Sequence, residues 1–322
     1  MFQTRVTEML GIEHPLIAGT MQALSRAELV AAVSNAGALG ILASATFDNK
    51  EDLAAEIARV KELTAKPFAV NINLFPMLRP IGIEDYIDVV IGEGVKIVET
   101  SGRSPEPYMD RFRKGRVTLM HKCARVRDVR TAARVGADLA EIVGFECGGH
   151  PSAEEVTTLV LLPQAVDAVD IPVIGGGGFG DARGFIACLA LGAEGVLMGT
   201  RFMMTRECPL HQNFKETFVQ APETATIMAQ RSIGDPIRVF RNETVDEVLE
   251  KERQGATLQD LIPLIAGAAA REAWEQGDVA HGMTACGQVV GIIHDLPTVK
   301  EVVDSIIQGA GDIMERLNRL KR

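Results

Sequence analysis

His150 is the residue of this chain whose setting best suits proton transfer. It follows two glycines in the stretch GFECGGHPS, residues 144–152, and the apolar run LAEIV before that stretch predicts a buried strand. Ser152 and Glu155 have the S-x-x-E spacing of a helix-capping box, so a helix is predicted to begin there. An imidazole has an ordinary pKa of about 6.5, and glycines let a flat ligand approach the backbone closely. On these residues alone, a strand-to-helix turn with an incidental histidine explains the stretch equally well.

Two further glycine loops suit the binding of an anion. Residues 175–178 are four consecutive glycines before the predicted helix ARGFIACLALG, and Gly199-Thr200 adds a second backbone donor with a hydroxyl group. Backbone N–H groups in such loops can point at a phosphate, and a helix N-terminus adds a favourable dipole. Tight turns alone would also need these glycines. The loop at 175–180 matches the G-x-G-x-x-G dinucleotide fingerprint as well, but four adjacent glycines match many patterns by chance.

Other catalytic chemistries find little support in the residue spacing. The six histidines show neither H-x-x-x-H nor HExxH spacing, and the five cysteines form no C-x-x-C pair, so no metal site is predicted. The chain has no G-x-S-x-G elbow of a serine hydrolase. Lys122 ends a predicted buried strand and would suit an anion or an electron-rich ring. A surface lysine with a buried stem explains it nearly as well.

Short apolar runs alternate with amphipathic helical segments over the first two-thirds of the chain. Eight of these runs are predicted to be strands, at residues 15–19, 38–44, 68–74, 95–101, 117–123, 138–144, 172–176 and 195–199. Nearly continuous apolar strands are typical of a parallel sheet buried on both faces. Eight strand–helix units predict an α/β fold, the (β/α)8 TIM barrel, in which function gathers at the carboxyl ends of the strands. An open doubly wound sheet is the alternative, since periodicity does not distinguish it from a closed one.

The alternation stops after Thr200. Residues 201–284 have the patterns of helices and irregular connections, including the segment TATIMAQRS, with a strand signal only in PIRVFRN. We therefore expect a helical lobe inserted after strand eight: residues 1–205 and 285–322 would form the barrel, and residues 206–284 a lid over the substrate. In the tail, one face of a long amphipathic helix is apolar, and this helix is expected to complete the barrel as its eighth outer helix. The apolar residues are Val299, Val302, Val303, Ile306 and Ile307.

The composition restricts the partners and the compartment. The net charge of −10 and the pI near 5.2 disfavour nucleic acid and anionic membranes. Scattered cysteines, odd in number, indicate a reducing interior, and the first residues lack the apolar core of a signal peptide. No apolar stretch approaches the roughly 18–20 residues that span a bilayer. A cytoplasmic protein without a membrane segment is therefore expected.

Several blocks of the chain together resemble the nitronate monooxygenase family of FMN-dependent barrels, formerly called 2-nitropropane dioxygenases. The blocks are TRVTEMLGIEHPLIAGTMQ, SNAGALGILAS, PFAVNINL, GFECGGHPS, PVIGGGGFGDARG, ALGAEGVLMGTRFMMTRECPLH and the tail A-x-GQVVGIIHD. Their order and spacing imply the family's barrel and its FMN. The same scaffold serves flavin enoyl-ACP reductases and NADH:quinone reductases, and GFECGGHP with MGTRFMMTRECP is especially similar to the quinone-reductase branch.

The resemblance also implies roles for residues that match its motifs. His150 would lie over the reactive face of the flavin as the catalytic residue. The phosphate would lie on the glycine loops of strands seven and eight. The residues expected to hold FMN are Gly19, Thr20, Met21, Asn71, Lys122, Gly148, Gly149, Gly177, Gly178, Met198, Gly199 and Thr200.

The implied activity is an FMN-dependent oxidation of alkyl nitronates or nitroalkanes with O2. NADH:quinone reductase, with NADH as reductant, is the first alternative, and flavin enoyl-ACP reductase the second. A non-catalytic FMN-binding barrel is the alternative from another class, but it would have no use for a histidine beside the glycine loop. The expected partners are a nitronate or a quinone and O2, and a homodimer stays open.

Overall fold

One sheet of eight parallel strands forms the centre of the protein, as the computed structural model describes it over residues 2–75 and 81–320. The strands are β1 Leu16–Ala18, β2 Gly40–Ala43, β3 Phe68–Asn73, β4 Ile97–Ser101, β5 Thr118–Cys123, β6 Leu139–Val143, β7 Val173–Gly176 and β8 Gly195–Met198. Neighbours in the sheet follow chain order, and β8 pairs in parallel with β1. A further bridge from Ile17 to Leu39 joins β1 to the start of β2, so the sheet is a nearly closed barrel. The predicted (β/α)8 barrel is confirmed, and the doubly wound alternative is wrong.

Helices surround this barrel and also close one of its ends. They are α1 Arg5–Leu10, α2 Ala27–Asn35, α3 Lys50–Leu63, α4 Ile83–Gly92, α5 Met109–Gly115, α6 Val126–Val135, α7 Thr158–Val166, α8 Ala182–Ala190, α9 Thr200–Met203, α10 Gln212–Val219, α11 Glu243–Arg253, α12 Leu258–Ile265, α13 Gly267–Gln276 and α14 Val299–Arg319. Short 3-10 turns lie at Ser44–Thr46, Glu106–Tyr108 and Gln288–Ile292. Among the helices described, none has the length and apolar character needed to cross a bilayer.

The interior of the barrel changes from apolar to polar toward the carboxyl ends of the strands. One apolar cluster takes a side chain from every strand, together with Val6 and Leu10 of α1. Side chains from all eight strands meet only inside the barrel, so this cluster lies there. The two residues of α1 place it near the amino-terminal ends of the strands. Side chains two residues apart in a strand share a face. The residues two positions after the apolar Ala69, Ile97, Met120 and Leu139 therefore also point inward, and they are Asn71, Glu99, Lys122 and Glu141. A polar layer thus lies directly above the apolar one.

The long tail helix α14 takes the place of the eighth outer helix. It packs against α8 and α2, the helices that follow β7 and β1. Val299, Val302, Val303 and Ile306 are buried on its inner face, as the apolar pattern predicted, whereas Ile307 is only partly buried.

The helix predicted at Ser152 begins six residues later, so the capping-box prediction is wrong. Helix α7 starts at Thr158, and its own N-cap residue makes no side-chain hydrogen bond. The carboxylate of Glu146 instead accepts hydrogen bonds from the Thr158 backbone nitrogen and hydroxyl, both at 2.9 Å. A distant carboxylate therefore supplies the cap, and local spacing could not show this.

The segment after the barrel contains a β-hairpin that the sequence did not predict in full. TATIMAQRS, interpreted as helix, contains β9 (Thr226–Ala229), which pairs antiparallel with β10 (Ile237–Phe240) in the predicted strand PIRVFRN. A short apolar run is compatible with either a helix or a strand. Three of the four β9 residues are buried, so packing against the rest of the protein decided in favour of the strand. The division into a barrel and a lid at residues 206 and 284 stays a prediction.

Gly144, at the end of β6, offers a test of how tightly the site loop packs. A methyl group there would overlap the hydroxyl and the backbone nitrogen of Thr158. We expect Gly144→Ala to lower the free energy of unfolding by at least about 2 kcal/mol in urea titrations. The matched control is Gly92→Ala at the end of α4, where no atom lies within 4 Å of the new methyl group. The control should keep or slightly raise stability, and equal losses in both variants would contradict this account.

Candidate active site

The carboxyl ends of β1 and β8 join at the mouth of the barrel. The Gly19 nitrogen donates a hydrogen bond to the Met198 carbonyl oxygen at 2.9 Å, and a side chain on Gly19 would touch the Cα of Gly199 at 3.5 Å. The Met21 nitrogen donates to the Ser25 hydroxyl at 2.9 Å, so this N–H has an internal partner. Gly199 itself faces open space, with no atom within 4 Å of the position of a side chain.

The glycine loop after β7 has the geometry of an anion cradle. Gly177 and Gly178 have successive positive φ angles of 100° and 78°, which side chains rarely allow. In the part of the chain that the structure describes, the Gly178 N–H donates no hydrogen bond. Successive glycine amides in this conformation, near the start of α8, can bind a phosphate. The residues present therefore fit a phosphate-bearing cofactor.

A segment near the tail fits between the loops that follow β6 and β8. The Gly287 nitrogen donates to the Thr200 hydroxyl at 3.0 Å, and the Gln288 nitrogen donates to the Glu146 carbonyl oxygen at 3.0 Å. A side chain on Gly148 would collide with Cys286 and Gly287. Gly148, two residues before His150, is thus required for the close approach of two backbones.

Lys122 lies inside the barrel between two buried glutamates. Its Nζ is 2.8 Å from Glu99 Oε1 and 3.9 Å from Glu141 Oε2, and both glutamates are inaccessible to solvent. Thr20 donates its hydroxyl to Glu99 Oε2 at 2.7 Å, and the Asn71 amide donates to the same oxygen. Neither carboxyl oxygen of Glu141 has a hydrogen-bond partner among the described residues at ordinary angles. The surface-lysine interpretation of Lys122 is therefore wrong.

This cluster holds two carboxyl groups and one ammonium group, so charge balance requires one extra proton. Burial raises the pKa of Glu141 well above its usual range, and the Glu99 carboxylate raises it further. Burial is the largest effect on Glu99 and opposes its ionisation, but the Lys122 charge and the side-chain hydrogen bonds to this carboxylate together outweigh burial and lower the Glu99 pKa. The Glu99 carboxylate, as the main opposing effect, keeps the pKa of Lys122 raised despite burial. The neutral member of the cluster is Glu141.

His150 lies on the exposed rim of this mouth. Its side chain is 56% exposed, and its Nε2 is 3.5 Å from Asp235 Oδ1, in the turn between β9 and β10. The adjacent Gly149 forms a two-way backbone pair with Arg238 of β10, at 3.0 and 2.7 Å. The loop of the predicted catalytic histidine is therefore fixed to the hairpin, and the ring has access to a ligand.

Other reactive side chains near the site are unsuited to acid–base or nucleophilic roles. Burial lowers the pKa of His121 to about 4, and its Nδ1 contacts the Thr100 hydroxyl at 2.8 Å, so the ring is neutral at ordinary pH. Burial raises the pKa of Cys147 to about 12, so the thiol is not a thiolate nucleophile. Within residues 2–75 and 81–320, no three His, Cys, Asp or Glu side chains are grouped so that they could hold a metal ion.

Three acidic residues of this site were not predicted from the sequence. Glu99 and Glu141 each interrupt an otherwise apolar strand, IVETS and LAEIV, and that interruption was a usable signal. Asp235 offered no such signal in the sequence, because its contact is with His150, a residue 85 positions earlier in the chain (235 − 150).

The fold defines the class of structure, a (β/α)8 barrel whose loops gather at one mouth. The chain belongs to the nitronate monooxygenase family, whose family model, described as "Nitronate monooxygenase", matches residues 3–79 and 77–309. This membership makes it a flavin-dependent oxidoreductase.

Similar proteins in this family carry names of more than one activity. FabK from Thermotoga maritima has a solved structure that superposes with a TM-score of 0.93 at 34% identity, covering 99% of this chain and 100% of that one. The "(3aS,4S,5R,7aS)-5-hydroxy-7a-methyl-1-oxo-octahydro-1H-indene-4-carboxyl-CoA dehydrogenase" of Mycobacterium tuberculosis is 33% identical, over 96% of each chain. A "Probable nitronate monooxygenase" of Staphylococcus saprophyticus is 30% identical, over 97% of this chain and 99% of that protein.

The charge assignment of the buried cluster predicts opposite effects of two matched variants. Glu141→Gln replaces a neutral acid with a neutral amide, so the free energy of unfolding at pH 7 should be unchanged or higher. Glu99→Gln removes the nearer counter-charge of Lys122 and should cost about 2 kcal/mol. Urea unfolding of the purified protein measures both, and a larger loss for Glu141→Gln would contradict the assignment.

The same assignment predicts a pH dependence. A raised folded pKa means that the contribution of Glu141 is fully present below its unfolded pKa of about 4.5 and is lost as pH rises through the folded pKa. Glu141→Gln should therefore flatten the decline of stability that begins above about pH 4.5, a decline on the order of 1 kcal/mol per pH unit in the wild type. An unchanged slope in this variant would show that Glu141 is ionised in the fold.

Proposed function

We propose that this chain binds FMN at the carboxyl end of the barrel and oxidises alkyl nitronates or nitroalkanes with O2. The observation that carries the proposal is the exposed His150 beside the glycine loops, which offers a proton-transfer group where a flat cofactor has room. The family match and the staphylococcal relative support the choice of nitronates.

The residues proposed to hold FMN are those that surround the mouth. The phosphate belongs on the Gly177–Gly178 and Gly199–Thr200 loops, where the amides and the open space fit it. Lys122 supplies a positive charge from the barrel interior, held by Glu99. The remaining residues of the proposed site are Gly19, Thr20, Met21, Asn71, Gly148, Gly149 and Met198.

FMN, when bound, supplies the acceptor for electrons from the substrate. Residues of the chain provide the proton transfer and the fixed positive charge. His150 takes the proton from the carbon of a neutral nitroalkane, or orients a nitronate that has already lost it. Asn71 and Thr20 fix the Glu99 carboxylate, so the Lys122 charge keeps a constant position.

Redox chemistry on a thioester is the second candidate. It is favoured by the 33% identity to a CoA-thioester dehydrogenase and by the close superposition on FabK. In that reaction NADH would supply the hydride, and His150 would give a proton to the substrate carbon instead of taking one. NADH:quinone reduction moves no proton to or from a substrate carbon, so it would not need His150 for that step.

One set of assays separates these activities. The purified protein should show a flavin spectrum with FMN as the extracted cofactor. Propionate-3-nitronate should reduce that flavin without oxygen and cause O2 uptake in air. Rapid bleaching by NADH together with no O2 uptake on nitronate would contradict the monooxygenase proposal. Reoxidation of the NADH-reduced protein by a quinone or by an unsaturated acyl-CoA would then identify the alternative.

The role of His150 has its own test. We expect His150→Asn to keep FMN and to lower turnover of neutral nitroethane by about 10²–10⁴-fold, the range of a lost acid–base group. The control is His281→Asn, because His281 is a similarly exposed histidine, 2.7 Å from Asp278 and outside the proposed site. Full activity of the His150 variant on nitroethane would remove it as the base.

A further inference from the structure

The β9–β10 hairpin is held against the loop of His150 by contacts on either side of that residue. The Gly149 nitrogen donates to the Arg238 carbonyl oxygen at 3.0 Å, and the Arg238 nitrogen donates back at 2.7 Å. The Arg238 guanidinium donates to the Phe145 carbonyl oxygen at 3.1 Å and lies 4.5 Å from the centre of the Phe145 ring. Arg231, before the turn of the hairpin, forms an ion pair with Glu155, after His150. The hairpin therefore has a defined position relative to the imidazole.

Asp235 occupies the turn of this hairpin and faces His150. Its backbone nitrogen donates to the Gln230 carbonyl oxygen at 3.2 Å, which fixes the turn. Its Oδ1 lies 3.5 Å from His150 Nε2, a long contact of the kind that often shortens when a ligand binds. The contact with His150 lowers the pKa of Asp235, against a smaller opposing effect of burial. Asp235 is thus a carboxylate at the site when the enzyme is active near neutral pH.

A neutral imidazole carries its proton on one nitrogen and a lone pair on the other. A carboxylate accepts hydrogen bonds only, so Asp235 favours the tautomer with the proton on Nε2. The lone pair then belongs to Nδ1, for which the described residues provide no hydrogen-bond partner. Nδ1 is the nitrogen available to a substrate.

We propose that Asp235 is a positioning residue that holds His150 through Nε2, so that Nδ1 is the atom that exchanges a proton with the substrate. This inference rests on the proposed proton-transfer role of His150. When Nδ1 takes the proton of a nitroalkane, the carbon–hydrogen bond breaks, an N–H bond forms, and the electron pair stays on the substrate as nitronate. The imidazolium that results has the Asp235 carboxylate beside it as counter-charge.

The contact is too exposed to stabilise the fold appreciably. Both side chains are partly open to solvent, at 56% and 41%, and such ion pairs contribute about 0–1 kcal/mol. Variants of Asp235 should therefore fold and bind flavin normally. If Asp235 is a positioning residue, the effect of these variants on catalysis must act through His150.

A double-mutant cycle on the flavin-loaded enzyme tests this dependence. Asp235→Asn should lower kcat on nitroethane at least about 10-fold with KM nearly unchanged, and Asp235→Glu should recover part of the loss. In the His150→Asn background the same substitution should have no further effect. Ethylnitronate, which needs no proton removal and only the orienting contact of His150, should lose much less turnover than nitroethane in Asp235→Asn. Equal losses in both backgrounds, or on both substrates, would mean a structural role and overturn the proposal.

A second measurement does not depend on turnover. In ¹H–¹⁵N spectra of the ¹⁵N-histidine-labelled holoenzyme, His150 should show its proton on Nε2, and Asp235→Asn should shift it away from that single form. His150→Asn assigns the signal, and Asp278→Asn, at the similarly exposed His281–Asp278 pair, should leave it unchanged. An identical His150 signal in wild type and Asp235→Asn would overturn the proposal. If the tautomer depends on Asp235 but nitroethane is not turned over, the positioning role holds and the proposed substrate is wrong.

Discussion

The parallel pairing of β1 with β8 is the constraint on which the site depends. It turns a row of eight strands into a nearly closed barrel, so all the carboxyl ends meet around one mouth. Loops that are far apart in the chain then touch, as where Gly19 meets Gly199 and where Thr200 bonds to Gly287. At Gly148 and Gly287 the two backbones approach too closely for a side chain. The cradle after β7 is a consequence of the same closure.

Closure also forces charged side chains into the interior. The inward positions above the apolar layer belong to Asn71, Glu99, Lys122 and Glu141, and water does not surround them. A buried charge is tolerated when a partner of opposite sign lies close to it, and Glu99 with Lys122 meets that condition. Glu141 has no second cation, so it keeps its proton. The result is a fixed ammonium group below the mouth, at the cost of one carboxyl group with an unusual pKa.

The hairpin adds a different element to the barrel. Its backbone pairs with Gly149, its Arg238 stacks on Phe145, and its turn brings a carboxylate to His150. The barrel by itself positions the glycine loops, whereas the surroundings of His150 depend also on a segment that follows the last strand. In the proposed function this division separates cofactor binding from substrate chemistry, and it agrees with a family whose members have different named activities.

The alternation of eight apolar runs with helical segments predicted the barrel, because parallel strands buried on both faces have few other arrangements. It also predicted that His150 and the glycine loops lie together, because they follow strands whose carboxyl ends meet at the mouth of such a barrel. Contacts between distant segments decided the rest. Glu146, not Ser152, caps α7, TATIMAQRS forms a strand because it pairs with β10, and Asp235 reaches His150 across the hairpin. Local spacing carries no information about such contacts, because each partner is supplied by the folded chain and not by its neighbours in sequence.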